Sequence, residues 1–354
     1  MPPLKMPKAI AKAPDGSPQA LNGKHTIDDV ARSAGVSKAT VSRYLNPGAK
    51  QLSPEIAARV EEAIRDLGYR PSPMAQALKR GRSRLIGLVV ADVTNPYSVA
   101  VLQGAEKTCR EAGYIVMLFN IGNEEGRERQ AIQALSSYQV EGFLLHTLGR
   151  DSGALADAAQ HGKPVVLIDR RLGDNQVDLV GLDNGAAVRL CVEHLTGQGY
   201  HHLLFVTEPM PGVSSRLERE AAFRASMPER GQTFECDADD APALDKALQS
   251  LRRRARGDAC AVISANAVIT LRVAAAAARL GLSLGQDIGL VGFDDTDWAP
   301  LVGPGLSTIS QPTDDIGRCA ARCLIERVQG LQMPARQILL PGSLVERGSS
   351  RRDA

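Results

Sequence analysis

From position 84 onward the chain alternates short apolar runs with amphipathic stretches. The runs occupy 85–93, 114–120, 142–147, 164–169, 179–182, 202–207, 259–265 and 288–293, and segments such as 98–112 and 188–198 lie between them. Short apolar runs separated by helices predict parallel sheets covered on both faces. Eight such strands fit two doubly wound sheets better than one. In such sheets ligands sit at the carboxyl ends of the strands, and a cleft between two lobes sets two such ends face to face.

Composition narrows the class. The 354 residues are 44% hydrophobic and 23% charged, which is enough to build cores in an ordinary soluble protein. The apolar run at 85–91 is among the longest, well short of the roughly 18 residues a membrane span needs. The first 24 residues carry lysines with no apolar stretch behind them, so no secretory signal is expected. Six cysteines form no CxxC pair, and Cys319 and Cys323, one helical turn apart, read as packing. A cytoplasmic protein without metal or cofactor is expected, rather than a disulfide scaffold or a membrane protein.

Charge is uneven. Residues 1–82 hold 14 Lys or Arg against 7 Asp or Glu, a balance of +7, while the remainder holds 28 against 33, a balance of −5. A basic N-terminal segment on a mildly acidic body suits a polyanion partner for that segment. Residues 1–24 combine prolines with lysines and read as a disordered basic arm. Residues 25–70 read as three short all-α elements. Thr26 is a good N-cap with Asp29 three residues on, a near capping box, and Ile27, Val30 and Ala31 follow at helical spacing. Gly35 allows a turn and Ser37 caps the next helix, which presents Val41, Tyr44 and Leu45 on one side. Ser53 and Pro54 open a third helix, with Ile56, Val60, Ile64 and Leu67 as its stripe. Residues 71–83 are Pro-bounded and basic, with room for a helix of about two turns that is marginal alone and orders only when bound. A core over 84–348 and a tail over 349–354 complete the expected organisation.

These segments carry a resemblance. Thr26-Ile27-Asp28-Asp29-Val30-Ala31, Ala34-Gly35-Val36-Ser37 and Thr40-Val41-Ser42-Arg43-Tyr44-Leu45-Asn46 resemble the helix-turn-helix signature of the lactose/galactose repressor family. Gly68-Tyr69-Arg70-Pro71 and Ala75-Gln76-Ala77-Leu78 resemble the end of its headpiece and its hinge helix. Ile86-Gly87-Leu88-Val89-Val90, Asn95-Pro96-Tyr97, Val291-Gly292-Phe293-Asp294-Asp295 and Leu306-Ser307-Thr308-Ile309 with Gln311-Pro312 resemble its core motifs. The match runs in order over roughly 25–348. It implies a headpiece and hinge helix joined to a two-lobed core of the periplasmic-binding-protein type.

The resemblance also assigns roles. The second helix would lie in the major groove, with Lys38, Ala39, Thr40, Ser42 and Arg43 facing DNA. Arg43 could reach guanine bidentately, and Ala39 could meet a thymine methyl. Thr26 and Ser37, at helix starts, would favour phosphates. Asn46 and Ala75 join the DNA-facing set, and Leu78 would wedge into the minor groove. Ser72 stands where the family usually has Asn, and still can cap. In the core the resemblance implies an effector cleft lined by Asn95, Tyr97, Asp169, Arg170, Arg216, Arg219, Asn266, Asp294 and Gln311. Ala267 replaces the Asp that usually follows Asn266. Trp298 serves either as core or as a ligand platform. Residues 294–305 resemble the branch that senses gluconate and keto-sugar acids, and Arg219, Arg216 or Arg170 would supply the cation a carboxylate needs.

A ligand-responsive repressor follows as the expectation. It would bind a palindromic operator as a homodimer and be released by a small sugar or sugar acid. The absence of a long heptad stretch after Ser350 favours a dimer over a tetramer. A cytoplasmic sugar-binding protein of the same core fold, without sequence-specific DNA binding, is the alternative. An enzyme is disfavoured, because GxGxxG after a strand, GxxxxGK[ST], GxSxG and HExxH are all missing.

Overall fold

The computed structural model describes residues 25–45, 52–70, 82–122, 124, 126–148, 153–172, 177–237 and 240–352. The chain forms two units, divided after Gly81. The expected arm (1–24), residues 71–81 of the expected hinge, and Asn46, Ser72, Ala75 and Leu78 lie outside the described residues.

The first unit contains helices α1 (Ile27–Ser33), α2 (Lys38–Tyr44) and α3 (Pro54–Asp66). At the start of α1 the near capping box is a complete one. Thr26 Oγ1 accepts from the Asp29 amide at 3.3 Å, and Asp29 Oδ2 accepts from the Thr26 amide at 2.8 Å. The backbone and hydroxyl hydrogen bonds from Thr26, in that order, hold the Asp29 carboxyl below its ordinary range. Gly35 turns the chain at φ +61° and Ser37 caps α2 by accepting from the Thr40 amide. Val30, Ala31, Ala34, Val41, Val60 and Ala63 form the buried centre, with Tyr44, Leu45, Ile56, Ile64 and Leu67 packed around it. Helices of seven residues are unstable alone, so this shared core and the caps hold them. Thr26→Ala is expected to cost about 1 kcal/mol. Faster amide hydrogen exchange over 27–33, with the second unit unchanged, would report that loss.

The second unit holds two six-stranded sheets. The first is built from β1 (Leu85–Val90), β2 (Ile115–Asn120), β3 (Phe143–His146), β4 (Val165–Ile168), β5 (Asp178–Leu182) and β11 (Gln337–Leu340). Its order is β11-β5-β4-β3-β1-β2, all parallel. Helices α4 (Pro96–Glu111) and α11 (Thr313–Val328) contribute to the core on one face. Helices α5 (Arg127–Ser137) and α6 (Gly153–Gln160) cover the other. The second sheet contains β6 (His202–Thr207), β7 (Gly231–Glu235), β8 (Cys260–Ser264), β9 (Gly289–Phe293), β10 (Ser307–Ser310) and β12 (Ser343–Val345). Its order is β12-β10-β9-β8-β6-β7, with only β12 antiparallel to its neighbour among these pairs. Helices α7 (Asn184–Gly197) and α8 (Ser214–Ser226) pack on one face, α9 (Ala241–Ala255) and α10 (Ala267–Arg279) on the other.

The chain passes between the lobes three times, after β5, after β10 and between β11 and β12. Asp178 locks the last return into place. Fully buried at the start of β5, it takes Arg327 and Arg336 guanidinium hydrogen bonds at 2.8 Å and the Arg336 amide at 2.8 Å. Among the described residues no helix is long and apolar enough to cross a membrane.

All eight expected apolar runs contain a strand. Four further strands, β7, β10, β11 and β12, went unassigned because they are short and polar or sit at sheet edges. Ser307 and Thr308 of β10 are fully buried, an arrangement that apolar patterning cannot signal. Their partners come from far along the chain. Ser349 Oγ accepts from the Ser307 amide at 2.8 Å and donates to the Leu290 carbonyl at 2.7 Å, and Ser350 Oγ donates to Ser307 Oγ. The expected tail at 349–354 is therefore corrected, since Ser349 and Ser350 are fully buried parts of the second lobe.

Candidate DNA-binding and effector sites

On α2 the core side is set by Val41 and Leu45. Ala39 and Arg43, four residues apart, stand exposed one above the other, with Thr40 half-buried beside them. Lys38 is exposed and pairs with Asp28 of α1 at 2.8 Å. Ser42 departs from the expectation. It is buried beside Val41, because its angular position falls on the flank of the core stripe rather than on the Ala39/Arg43 face. Ser37 Oγ lies 2.9 Å from Thr40 Oγ1, and the Thr26 hydroxyl lies 2.8 Å from Asp29, so both expected phosphate contacts already serve as caps. An exposed arginine over a small residue, on a helix capped and packed from behind, suits a surface that enters a DNA groove.

In the second unit, Asp169 and Asp294 occupy matching places in the two lobes, each one residue beyond a strand. Both have left-handed backbones, φ +68° and +73°, and both side chains are buried. Aspartate tolerates this conformation better than most residues, yet it still costs energy, and such strain gathers at functional sites. A cavity of about 560 Å³ opens beside Asp294. The first turn of α4 lines it through Pro96, Tyr97 and Ala100, and the second lobe through Asp294, Trp298 and Gln311. The volume falls within the range of small-molecule sites. Gln311 Nε2 donates to Asp294 Oδ1 at 2.6 Å and the Ala267 amide to Oδ2 at 3.1 Å. Burial, reinforced by the Asp169 charge, still leaves the Asp294 carboxyl above its ordinary range. Burial, then the charges of Asp169 and Asp294, push the Tyr97 hydroxyl well above its ordinary value. That hydroxyl therefore stands in the field of both lobes.

Residues 26–72 match the family described as bacterial regulatory proteins, lacI family, and residues 192–350 match a periplasmic binding protein-like domain. The HTH-type transcriptional regulator PtxS of Pseudomonas plecoglossicida is 48% identical over 92% of this chain and 95% of that protein. The chain belongs to the lacI family of transcriptional regulators. The lac repressor dimer bound to operator and the anti-inducer ONPF is similar in structure, with TM-score 0.81 and 26% identity over 93% of this chain and 100% of the other. The transcriptional regulator CelR in complex with cellobiose matches with TM-score 0.67 and 26% identity over 92% of this chain and 99% of the other.

As a lacI-family member the chain is a ligand-responsive DNA-binding regulator, and four of the ten residues expected in its effector cleft border the cavity. Tyr97, Asp294, Trp298 and Gln311 line the cavity. Trp298 is half-buried, packs against the second-lobe core and borders the cavity. Asn95 is spent on capping α4, accepting from the Tyr97 amide at 3.0 Å, and thereby positions Tyr97. The arginines already have partners. Arg219 donates to Asn184 at 2.7 Å and to the Ala265 carbonyl, and stacks 4.2 Å over the Phe293 ring. Arg170 lies 3.3 Å from Asp169 and donates to the Thr147 carbonyl. Arg216 pairs with Glu208, which also accepts from Asn266 at 2.7 Å. A ligand carboxylate would therefore have to share one of these cations. Between the lobes, Ser215 donates to Asp169 at 3.3 Å and Arg171 pairs with Glu218 at 3.1 Å.

Sequence reasoning passed over His146. It ends β3, so the rule that ligands meet the carboxyl ends of parallel strands was the signal available for it.

Proposed function

We propose that this regulator is a cytoplasmic repressor that binds a palindromic operator as a homodimer and releases it when a small sugar or sugar acid binds between the core lobes. The observation that carries this reading is a group of buried polar atoms at the cleft, Tyr97 Oη, Asp169 Oδ1 and Gln311 Oε1, with no hydrogen-bond partner among the described residues. Buried polar groups are rarely left unpaired, and a polyhydroxylated ligand would supply the missing partners. The cellobiose complex of CelR supports a carbohydrate, and the operator complex of the lac repressor dimer supports the assembly. The likeness of 294–305 to the gluconate-sensing branch supports a sugar acid. Lys38, Ala39, Thr40 and Arg43 would read the half-site, and Leu78 would wedge into the minor groove at the operator centre. The ligand would be bound and returned unchanged.

One headpiece reads only a half-site, so palindromic specificity needs two. The effector and operator would be linked through the segment at 71–83, which joins headpiece to core. Linkage makes the effect reciprocal, so operator must weaken effector binding by the factor by which effector weakens operator binding. The test is selection from random duplex DNA at fixed salt, with and without gluconate, 2-ketogluconate, ribose or cellobiose. A palindrome released by one of these is the expected result. A palindrome indifferent to all of them would overturn the effector class, and sequence-blind, salt-sensitive binding alone would overturn the operator assignment.

A further inference from the structure

The loop at 294–306, between β9 and β10, forms one wall of the cavity through Asp294, Asp295 and Trp298. It folds on itself: the Ala299 amide donates to the Thr296 carbonyl at 3.0 Å, and the Leu306 amide to the Ala299 carbonyl at 2.8 Å. The segment that follows β12 ties this loop down at both ends. Arg347 Nη1 donates to Asp295 Oδ1 at 2.7 Å and Nη2 to Oδ2 at 3.3 Å. The same Nη1 donates to the Leu306 carbonyl at 2.8 Å, so one guanidinium joins the second residue of the loop to its last. The Thr308 hydroxyl adds a bond to Asp295 Oδ1 at 2.7 Å. The two chains run so close that side chains are excluded between them. A Cβ on Gly305, where φ is +82°, would lie 3.2 Å from Arg347 Cδ, and one on Gly348 would lie 2.6 Å from Pro304. Arg347 itself lies outside the cavity lining. Its backbone is fixed to β10, where Ser307 Oγ accepts from its amide at 2.8 Å and donates to its carbonyl at 2.9 Å.

We infer that Arg347 is a positioning residue for effector binding: through Asp295 and the Leu306 carbonyl it holds the loop that sets Asp294 and Trp298 at the cavity. The inference rests on the effector reading above and deepens it. A guanidinium fork on a carboxylate fixes direction as well as distance. Burial alone would raise the Asp295 pKa, but the bonds from Arg347 and Thr308 outweigh it and hold the group below its ordinary range, so the pair is charged at neutral pH. With the fork in place the wall is already ordered before a ligand arrives. Without it, the ligand would have to order the loop as it binds, and that cost subtracts from affinity. Lysine could keep the charge beside Asp295, but a point charge cannot grip the carboxylate bidentately and reach the Leu306 carbonyl as well.

Trp298 is the only tryptophan in the chain, so its fluorescence reports this loop alone. The experiment compares full-length wild type, Arg347→Met and Arg347→Lys without ligand, by acrylamide quenching and emission maximum, with far-UV circular dichroism to verify the fold. Methionine keeps an unbranched apolar stem and the backbone bonds to Ser307 while removing the fork. Trp298 should become easier to quench and shift to the red in Arg347→Met, with Arg347→Lys between it and the wild type. Asp295→Asn, which keeps the shape of the side chain and removes its charge, should also loosen Trp298. The double variant should match Arg347→Met, because both changes break one link. Calorimetric titration with gluconate, 2-ketogluconate, ribose and cellobiose follows. For whichever probe binds the wild type, Arg347→Met should weaken binding about three- to thirty-fold, and Arg347→Lys should recover part of the loss. Unchanged quenching in a folded Arg347→Met overturns the inference and leaves the effector reading standing. Looser Trp298 with full probe affinity also overturns it, and additive loosening in the double variant overturns the route through Asp295. If no probe binds the wild type, the sugar-class reading falls, and the quenching series alone decides whether Arg347 holds the wall. Should Arg347→Met fail to fold, Asp295→Asn decides, and unchanged quenching there overturns the inference.

Discussion

Arg43→Ala is expected to weaken operator binding by about 1–3 kcal/mol at each half-site, the usual worth of a bidentate contact to guanine. Two half-sites in a dimer make that on the order of 10²–10⁴ in affinity. The expectation rests on the exposed Ala39/Arg43 face of α2, whose opposite side is fixed by Val41 and Leu45 against α1 and α3. Because Arg43 is exposed and lies outside that packing, the change should leave headpiece stability and effector affinity as they were. Operator titrations across a salt series separate two kinds of contact. Loss confined to the cognate sequence, with an unchanged salt slope, places Arg43 on a base edge. A uniform loss on all sequences, with the slope reduced by about one per half-site and so about two for the dimer, places it on a phosphate. Unaltered binding in both series would remove α2 from the groove. Ser42→Ala is a useful contrast. Its side chain is buried in the headpiece, so any effect should appear first in stability.

The sequence made the layered core legible because parallel strands buried on both faces read as near-continuous apolar runs, as 85–90, 203–206 and 260–263 do. It was silent wherever burial is achieved by hydrogen bonding across long separations. Ser307 and Thr308 read as polar, yet lie at the centre of the second lobe because Ser349, Ser350, Arg347 and Asp295 meet them there. The headpiece was legible to the level of single hydrogen bonds, since capping boxes are local, but Ser42 was not. Its burial depends on where α3 packs, and 100° steps around a seven-residue helix leave that flank undecided. In the cleft, the family pattern pointed to Tyr97, Asp294 and Gln311. It could not foretell that Asn95 would be consumed as a cap or that each candidate arginine would already have a partner. His146 was hidden for the opposite reason. A histidine at the end of an apolar run looks like filler until Tyr97 and Asp169 are placed beside it.

Asp178→Ala is expected to be the most destabilising of the changes considered in the core. The carboxylate is fully buried and takes hydrogen bonds from Arg327 Nε at 3.1 Å and Nη2 at 2.8 Å, from Arg336 Nη2 at 2.8 Å and from the Arg336 amide. Burial alone would raise its pKa, but the bonds from Arg327 and Arg336 outweigh that and hold the group far below its ordinary value of 3.8. Three distant segments meet there: the start of β5, the end of α11 and the approach to β11, the strand that precedes the last crossing between lobes. Removing the acceptor leaves two partly buried guanidiniums without it, and breaking a buried pair in this way costs about 3–5 kcal/mol. For a unit of this size that lowers Tm on the order of 10 °C. The sign with pH is fixed by the depressed pKa. Asp178 binds its proton more readily unfolded than folded, so its contribution is complete above 3.8 and declines as pH falls below that value. Urea unfolding at pH 7, 5 and 3.5 checks both statements. The gap between wild type and Asp178→Ala should be equal at pH 7 and 5 and smaller at 3.5. Arg327→Ala should cost less than Asp178→Ala, because Arg336 still pairs with the carboxylate and, through Glu326 at 2.6 Å, with α11. A loss under about 1 kcal/mol for Asp178→Ala would mean that this site is stable without its charge, as some buried ion pairs are. The fixing of β11 would then rest on the Ile338 and Leu340 contacts with the first-lobe core.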